Sequence, residues 1–186
     1  ACLAGSDIVM PNVGLNPSRR AVLDVMIGLG ADIELSGSQE TCNEPVAGIR
    51  VKGGMGTPTI SNVLRGDIIA NLIDEVPILA VLGTQLEGGI EIRDATELRV
   101  KESDRITSVV ENLRRMGATV TEFPDGLLVE RSELKGAEID SHHDHRISMA
   151  FAIAGLFAEG ETTIHGAEAA DVSFPGFFET LASVVS

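Results

Sequence analysis

The stretch GGIEIRDATELRVKESDRITSVVENLRRMGA, residues 88–118, predicts a strand, a polar loop and a helix in that order. Two glycines precede the strand predicted at residues 90–94, and residues 95–103 form the polar loop. Beyond the loop, apolar side chains have the i, i+3, i+4, i+7 spacing of an amphipathic helix: Ile106, Val109, Val110 and Leu113. Gly117 stands where a left-handed helix cap is expected, and Ser103 stands where an N-cap is expected.

A second stretch, residues 5–31, repeats this plan. A strand is predicted at residues 7–11 and a loop at residues 12–18, with Ser18 as the expected N-cap of the following helix. That helix has apolar residues at the same spacing: Val22, Val25, Met26 and Leu29. The two helices also end in matching phrases, Leu29-Gly30-Ala31 and Met116-Gly117-Ala118.

A third stretch follows the plan from residue 160 onward, with a strand at residues 162–166 and a loop that reaches Pro175. Corresponding points of the three stretches lie roughly 70 to 85 residues apart, which is longer than the repeats of simple solenoids. This spacing favours internal duplication of an α/β unit. Further helices are predicted at residues 77–86 and 147–158, and further strands at residues 49–52 and 127–130. Because no linker interrupts the chain, we expect a single domain over residues 1–186.

The composition limits the kinds of partner. The chain has 186 residues, 44% of them hydrophobic, and a formal net charge of -14. Such a charge repels polyanions, so we expect neither a nucleic acid nor a membrane as partner. No apolar run approaches the length of about 18 residues that a membrane span needs. The two cysteines lack metal-ligand spacing and the chain start lacks a signal peptide, so we expect reduced thiols and a cytoplasmic location.

The most charged stretch is residues 99–105, RVKESDR, which lies between a predicted strand and a predicted helix. A helix amino terminus favours anions, and Lys101 and Arg105 add positive charge that suits a carboxylate or a phosphate. Glu102, between them, is a candidate acid or base. A solvated helix start with local ion pairs explains the same residues equally well.

A second polar segment is SHHDHR, residues 141–146. Adjacent side chains on a strand or helix point apart, which disfavours a metal site built from these histidines. A turn in which Asp144 orients His145 or Arg146 is the better interpretation. The segment leads straight into an apolar helix, where charged groups need a partner or a function.

An acidic pair, Asp74 and Glu75, comes immediately before Pro77 and the apolar helix predicted after it. Proline suits the first turn of a helix. Taken alone, the acidic pair is most simply explained as helix-capping residues. From composition and pattern only, the chain is therefore predicted to be an intracellular α/β domain, internally repeated, with a candidate anion site.

Taken together, four phrases of the chain resemble the 5-enolpyruvylshikimate-3-phosphate synthase family. They occur in the family's order: Asp74-Glu75-Val76-Pro77-Ile78-Leu79-Ala80, Leu98-Arg99-Val100-Lys101-Glu102-Ser103-Asp104-Arg105, Asp144-His145-Arg146-Ile147-Ser148-Met149-Ala150 and Ser173-Phe174-Pro175-Gly176-Phe177. The second and third phrases are highly specific, and the similarity extends over nearly the whole chain. The resemblance implies a fold of two domains, each built from three βαβαββ units, with substrates bound in the cleft between them. This chain resembles the carboxyl-terminal domain, beginning part-way through its first unit.

The resemblance also implies a reaction. Members of the family transfer the enolpyruvyl group of phosphoenolpyruvate to the 5-hydroxyl of shikimate 3-phosphate and release phosphate, with no metal or organic cofactor. Asp74 resembles the carboxylate that holds the 5-hydroxyl and accepts its proton. Lys101 and Glu102 resemble the pair that moves protons to and from the substrates, and Lys101 is also expected to contact substrate.

The same resemblance implies further substrate-binding residues. Arg105 and Arg146 resemble the two arginines that bind the carboxylate of phosphoenolpyruvate, and His145 is similar to a polar neighbour in that site. Some members place a lysine before the last phrase, where it contacts the phosphate, and here that position is Val172. This departure weakens one ligand contact and leaves the sensitivity of the protein to glyphosate open.

Two alternatives stay open at this point. The UDP-N-acetylglucosamine enolpyruvyl transferases share the fold and the transferred group, although the Lys-Glu-Ser-Asp-Arg and Asp-His-Arg phrases argue against that family. The chain is also explained as a fragment that binds without turnover, because a cleft with one wall cannot exclude water or position both substrates. We therefore expect the amino-terminal half of the same enzyme as a partner.

Overall fold

The computed structural model describes residues 1–185, and its elements fall into two compact units. The first unit is Ala1–Ser61, and the second begins at Asn62. The single domain expected from the sequence stays a prediction, because compact units of this kind also arise from the repeats inside one domain. None of the helices in residues 1–185 is both long enough and apolar enough to cross a lipid bilayer.

The first unit combines an antiparallel sheet with one helix. Its elements are β1 (Asp7–Gly14), α1 (Ala21–Gly28), β2 (Ala31–Thr41) and β3 (Glu44–Met55), and the strand order is β1-β3-β2. One cluster of buried side chains in this unit consists of Leu15, Ala47 and Ile49. Between β2 and β3, Cys42 and Asn43 both have left-handed φ angles, 53° and 61°, as a two-residue turn between paired strands requires.

The second unit contains a complete βαβαββ sequence, which confirms the predicted α/β class. Its elements are β4 (Val63–Leu64), α2 (Ile68–Leu72), α3 (Val76–Gly83), β5 (Ile90–Ile92), α4 (Arg105–Arg115), β6 (Val120–Phe123) and β7 (Gly126–Val129). The first helical step is split into α2 and α3. The sheet order is β4-β5-β7-β6, with β4 parallel to β5 and the other neighbours antiparallel.

The second unit continues with two parallel strands and two helices. These are β8 (Glu138–Asp140), α5 (His145–Gly155), β9 (Thr163–His165) and α6 (Phe177–Val184). Short 3₁₀ helices, Thr96–Val100 and Ala167–Val172, precede α4 and α6. The predicted plan of strand, loop and helix is confirmed in all three stretches, as β1 with α1, β5 with α4 and β9 with α6.

Three helices, α3, α4 and α5, pack against one another in the core of the second unit. The buried side chains that they contribute include Leu79, Ile106, Leu113, Ile147 and Phe151. The periodic apolar stripe of α4 therefore faces its two neighbours, as an amphipathic helix should. This packing holds the first residues of the three helices in fixed relative positions.

Both predicted N-caps were wrong. The Ser18 amide and hydroxyl donate to Asn16 Oδ1, at 3.1 and 2.8 Å, and so stabilise a turn before α1 instead of its first residues. At α4 the cap is Asp104, whose side chain accepts a hydrogen bond from the Thr107 amide. Ser103 is displaced from the cap because its hydroxyl donates to a carboxylate elsewhere.

The predicted helix ends at Gly30 and Gly117 are confirmed, whereas the predicted strands differ from those of the structure. Gly30 and Gly117 have left-handed φ angles of 99° and 85°, which confirms the matching helix caps. β1 passes its predicted end and continues to Gly14, because the backbone bulges at Asn12 and pairs with β3 again from Val13. β2 was not predicted, because it is exposed along most of its length and carries few apolar residues.

Candidate active site

The amino-terminal ends of α3, α4 and α5 bring the charged candidate residues together. Asp74 and Glu75 precede α3, Arg105 is the first residue of α4, and Arg146 lies in the first turn of α5 after Asp144. Helix starts present unpaired N–H groups and the positive end of a dipole, so carboxylates are favoured beside them. The sequence places carboxylates before each of the three helices, and two arginines lie among them.

Arg105 is the centre of this cluster. Its side chain is only 2% exposed and donates to three carboxylates. Nε donates to Asp144 Oδ2 at 2.8 Å, Nη1 to Asp74 Oδ1 at 3.1 Å and Nη2 to Glu102 Oε2 at 2.6 Å. A buried charge is tolerated when it is paired and fully hydrogen-bonded, and these contacts meet that condition.

Asp144 is fully buried and joins α4 to α5. Besides the bond from Arg105, its carboxylate accepts hydrogen bonds from the Arg146 amide at 2.9 Å and from Ser103 Oγ at 3.1 Å. The first of these caps α5. Asp144 therefore orients the start of α5 through the backbone, and the side chain that it holds is that of Arg105, 39 residues earlier.

The buried pair stabilises the ionised form of both partners. Burial raises the pKa of the Asp144 carboxyl, but the hydrogen bond and charge of Arg105 lower it more, so the pKa lies below its ordinary value of 3.8. Burial lowers the pKa of Arg105, but the hydrogen bond and charge of Asp144 raise it more, and the pKa lies above its ordinary value. Both groups are therefore charged at neutral pH.

Arg146 is half-buried and faces the acidic pair before α3. Its Nη1 donates to the Asp74 backbone oxygen at 2.8 Å, and its Nη2 lies 3.4 Å from Asp74 Oδ2. Glu75 Oε1 is 3.5 Å from Nη1. The helix-capping explanation of Asp74 was wrong, because α3 has no side-chain cap and the Asp74 carboxylate instead contacts both Arg105 and Arg146.

Lys101 and Glu102 lie on the loop before α4. The Glu102 side chain is 53% exposed, so only its contact with Arg105 ties it to the cluster. Lys101 Nζ lies 2.5 Å from Glu97 Oε1. The hydrogen bond with Glu97 raises the pKa of Lys101 above its ordinary value, and the nearby charge of Asp74 adds to that increase, while burial and Arg105 oppose it. Lys101 therefore stays protonated at the edge of the cluster.

Two other candidate residues, His145 and Val172, are not hydrogen-bonded to the cluster within the described residues. His145 is half-buried at the first residue of α5, and within residues 1–185 its side chain forms no hydrogen bond or ion pair. Val172 is 82% exposed at the end of the 3₁₀ helix before α6. A cavity of about 200 Å³ adjoins the cluster and is lined by Asp74, Pro77, Ile78, Arg146, Met149, Ala150, Ile153 and Phe177.

The turn before α5 explains why its histidines do not converge. His142 and His143 both have left-handed φ angles, 51° and 55°, and the Asp144 amide closes the turn by donating to the Ser141 carbonyl oxygen. The turn directs Asp144 inward and leaves both histidines exposed. Within the described residues, no group of three or more His, Cys, Asp or Glu side chains is arranged to hold a metal ion.

Sequence reasoning missed Arg99 as an individual residue. Its guanidinium donates to the strand β6, to the turn after it and to Asp104 at the cap of α4. The available signal was its place at the start of the charged stretch, directly after the apolar Leu98.

Fold and cluster together define a class of protein: an α/β domain of repeated units whose buried helices begin at a shared group of arginines and carboxylates. A model of the family described as EPSP synthase (3-phosphoshikimate 1-carboxyvinyltransferase) matches residues 1–181. The chain belongs to this family, which confirms the resemblance noted in the sequence.

Individual relatives agree with the family match. The 3-phosphoshikimate 1-carboxyvinyltransferase of Koribacter versatilis (strain Ellin345) is 53% identical over 182 residues, which are 97% of this chain and 42% of that protein. The enzyme of the same name from Solibacter usitatus (strain Ellin6076) is 50% identical over 178 residues, 95% of this chain and 41% of that protein. The structure of EPSP synthase from Acinetobacter baumannii superposes with a TM-score of 0.88 at 36% identity, covering 97% of this chain and 42% of that one. The chain thus spans about two fifths of the length of the curated relatives that it matches.

Proposed function

We propose that this chain supplies one wall of an active site that transfers the enolpyruvyl group of phosphoenolpyruvate to the 5-hydroxyl of shikimate 3-phosphate and releases phosphate. The amino-terminal half of the same enzyme is its proposed partner and would supply the opposite wall. The observation that carries this proposal is the single cluster in which Arg105 contacts Asp74, Glu102 and Asp144. These residues come from three separate phrases of the sequence.

The two arginines suit the carboxylate of phosphoenolpyruvate. Asp144 holds the Nε edge of Arg105, which leaves its two terminal nitrogens directed at Asp74 and Glu102. A bound carboxylate would exchange with these two side chains, and a guanidinium grips a carboxylate with two parallel hydrogen bonds. Arg146 contributes a second cation. Its ion pairs with Asp74 and Glu75 are long, at 3.4 and 3.5 Å, so these contacts hold it only weakly. The two arginines are thus proposed to form an anion-binding site, in which a carboxylate ligand would replace contacts with acidic side chains.

The acidic residues and Lys101 suit the proton transfers of an addition followed by an elimination. In the addition, the 5-hydroxyl oxygen bonds to C2 of phosphoenolpyruvate, Asp74 accepts the hydroxyl proton, and C3 receives a proton from the pair of Lys101 and Glu102. In the elimination, the same pair removes a proton from C3 while the C2–O bond to phosphate breaks. Groups that exchange protons with the reacting atoms must lie beside the arginines that bind the substrate carboxylate, and these three do.

The exposure of these groups supports a need for a partner. The side chains of Glu102 and Asp74 are 53% and 40% exposed. Proton transfer to a carbon atom requires a site that excludes water and positions both substrates. The chain alone is therefore proposed to bind ligand weakly and to turn over only with the amino-terminal half.

Phosphate release from phosphoenolpyruvate and shikimate 3-phosphate tests the proposal, with this chain alone and then mixed with a separately produced amino-terminal half. Release only in the mixture is the expected result. UDP-N-acetylglucosamine in place of shikimate 3-phosphate is the control acceptor and should give no phosphate. The proposal would be contradicted if neither the chain alone nor the mixture released phosphate and calorimetry detected no binding of shikimate 3-phosphate.

We also propose a cytoplasmic location. Both cysteines, Cys2 and Cys42, are free thiols, as expected in a reducing compartment. Fractionation of the source cells with an antibody to the chain tests this, and recovery with secreted or membrane fractions would contradict it.

A further inference from the structure

Arg99 connects the loop before α4 to the hairpin formed by β6 and β7. Its Nη2 donates to the Phe123 carbonyl oxygen at 2.7 Å, and its Nε donates to the Pro124 carbonyl oxygen at 3.1 Å. Its Nη1 lies 2.8 Å from Glu122 Oε1. One side of the guanidinium is therefore held by three consecutive residues of the hairpin.

The same guanidinium also reaches the cap of α4. Nη1 of Arg99 donates to Asp104 Oδ2 at 3.0 Å and to Thr107 Oγ1 at 2.9 Å, while Asp104 Oδ1 accepts from the Thr107 amide at 3.0 Å. Burial raises the pKa of Asp104, but hydrogen bonds from the Thr107 amide and from Arg99 lower it below its ordinary value of 3.8. The ion pair is therefore present at neutral pH, and it closes a ring around residues 100–103.

The chain inside this ring has little other support. Within residues 1–185, neither Glu102 nor Ser103 takes part in a backbone hydrogen bond. Val100 is 81% exposed and so is not held by packing. The side chains of Ser103 and Glu102 contact Asp144 and Arg105, but no backbone hydrogen bond anchors these two residues. The positions of Lys101 and Glu102 therefore also depend on how firmly residues 99 and 104 are fixed.

We propose that Arg99 is a positioning residue, which holds Lys101 and Glu102 in register by clamping their loop between the β6–β7 hairpin and the cap of α4. The inference rests on the proposed function, in which those two side chains move protons. Arg105 is held separately by Asp144, so loss of the clamp leaves the proposed anion-binding site in place. Turnover, more than substrate binding, is therefore the quantity that Arg99 controls.

Steady-state kinetics of the enzyme assembled from this chain and its amino-terminal half test the clamp. Arg99→Ala is expected to lower kcat on the order of 10- to 100-fold, because displacement of reacting groups by about 1 Å can cost about 100-fold. KM for shikimate 3-phosphate should stay within about twofold, since ground-state binding is unchanged. Arg99→Lys should restore turnover only in part, because an ammonium lacks the planar fork that reaches all five acceptor groups.

Arg93→Ala is the matched control. Arg93 binds Asp125 at the tip of the same hairpin and lies 4.2 Å from the centroid of the Phe123 ring. Within the described chain its side chain makes no hydrogen bond to residues 99–105. Its removal should leave kcat near that of the parent enzyme. An equal loss of kcat in both variants would show a general effect of the hairpin and overturn the proposal.

Hydrogen exchange separates this inference from the proposed function. The amides of Thr107 and Ser108, which donate to Asp104, should exchange faster in Arg99→Ala, and not in Arg93→Ala, whether or not the assembled protein turns over. Parent turnover with unchanged exchange in Arg99→Ala would overturn the clamp and leave the proposed function intact. If the parent enzyme shows no turnover while exchange is faster in Arg99→Ala, the proposed function is overturned and the clamp remains as a loop anchor. If Arg99→Ala does not fold, Asp104→Asn replaces it, because asparagine still caps the helix while the ion pair is lost.

Discussion

The starts of α1 and α4 lie at corresponding points of two repeats, yet only one of them is a buried charge cluster. At α1, Arg20 pairs with Asp24 at 2.6 Å, and their side chains are 36% and 53% exposed. At α4, the Arg105 side chain is 2% exposed and meets carboxylates that precede two other helices. The same plan of strand, loop and helix therefore produces either a solvated helix start or a connected group of charges.

Neighbouring helices account for this difference. Within Ala1–Ser61, α1 is accompanied by strands only, so its first turn meets solvent. α4 packs against both α3 and α5, and the acidic residues before those helices lie next to its first residue. A charged residue at a helix start thus becomes part of a site when other helix starts supply its partners.

Removal of the buried Asp144 carboxylate is expected to have the largest effect on stability. Asp144→Ala leaves Arg105 buried without its main partner, and loss of one partner of a buried pair typically costs about 3–5 kcal/mol. We expect the free energy of unfolding of this chain, measured in urea, to fall by about that amount. Asp24→Ala at the start of α1 is the matched control and should leave the midpoint unchanged, because Arg20 stays solvated. Similar losses in both variants would mean that burial does not distinguish the two helix starts.

The second test concerns the chemical role of the α4 start. Glu102→Gln keeps the size of the side chain and removes its ability to exchange a proton, so kcat of the assembled enzyme should fall by about 100-fold or more. Glu111→Gln, within α4, is the control, since Glu111 is exposed and lies 4.0 Å from Arg115. Near-normal turnover of the Glu102 variant would remove Glu102 from the mechanism.

Most of the repeat plan could be predicted from the sequence, because apolar spacing and helix-ending glycines report on each helix locally. Gly30 and Gly117 carry the left-handed φ angles that their positions demanded. β2 could not be predicted, since an exposed strand needs no apolar face and is stabilised by its pairing with β3. Ser103 and Asp104 are both good capping residues, and the choice between them depends on a carboxylate 41 residues away from Ser103.

The candidate residues of the site could be listed from the sequence, but their arrangement could not. Nothing in the stretch around Arg105 indicates that its side chain is buried, because the carboxylate that permits burial is 39 residues away. Likewise, the contact of Arg146 with Asp74 joins residues 72 positions apart. Such partners are brought together by packing of α3, α4 and α5, which local pattern does not reveal.

A milder change at the start of α5 sharpens the distinction between binding and folding. Arg146→Lys keeps the charge but loses the fork that grips a carboxylate, so KM for phosphoenolpyruvate should rise by about tenfold. KM for shikimate 3-phosphate should change less, and the unfolding midpoint should change little, because the ion pairs of Arg146 are long. An equal rise in both constants would contradict the assignment of Arg146 to the phosphoenolpyruvate carboxylate.

Acid sensitivity gives a further contrast between the two helix starts. The pKa of Asp144 is lower in the folded chain than its ordinary value of 3.8, so its stabilising contribution is present above about pH 4 and is lost as pH falls through the folded pKa. The urea midpoints of the parent chain and Asp144→Asn should therefore stay apart above about pH 4 and converge as the pH falls below it. The Asp24→Asn variant, at the solvated start of α1, is the comparison at each pH. A constant gap between the parent and Asp144→Asn would show that the ionised carboxylate is not what stabilises the start of α4.

The smallest expected effect concerns the third helix start, at α6. A 3₁₀ helix precedes α6 as another precedes α4, and Val172 at its end is 82% exposed. Val172→Lys adds a cation where some relatives carry one, and an exposed ion pair contributes at most about 1 kcal/mol, so KM for phosphoenolpyruvate should fall by about two- to fivefold. Val172→Met adds length without charge and should leave KM unchanged. Since added salt screens an exposed pair, the gain should also shrink as ionic strength rises. A gain that persists at high salt, or that Val172→Met reproduces, would mean that packing and not charge links this third helix start to the ligand.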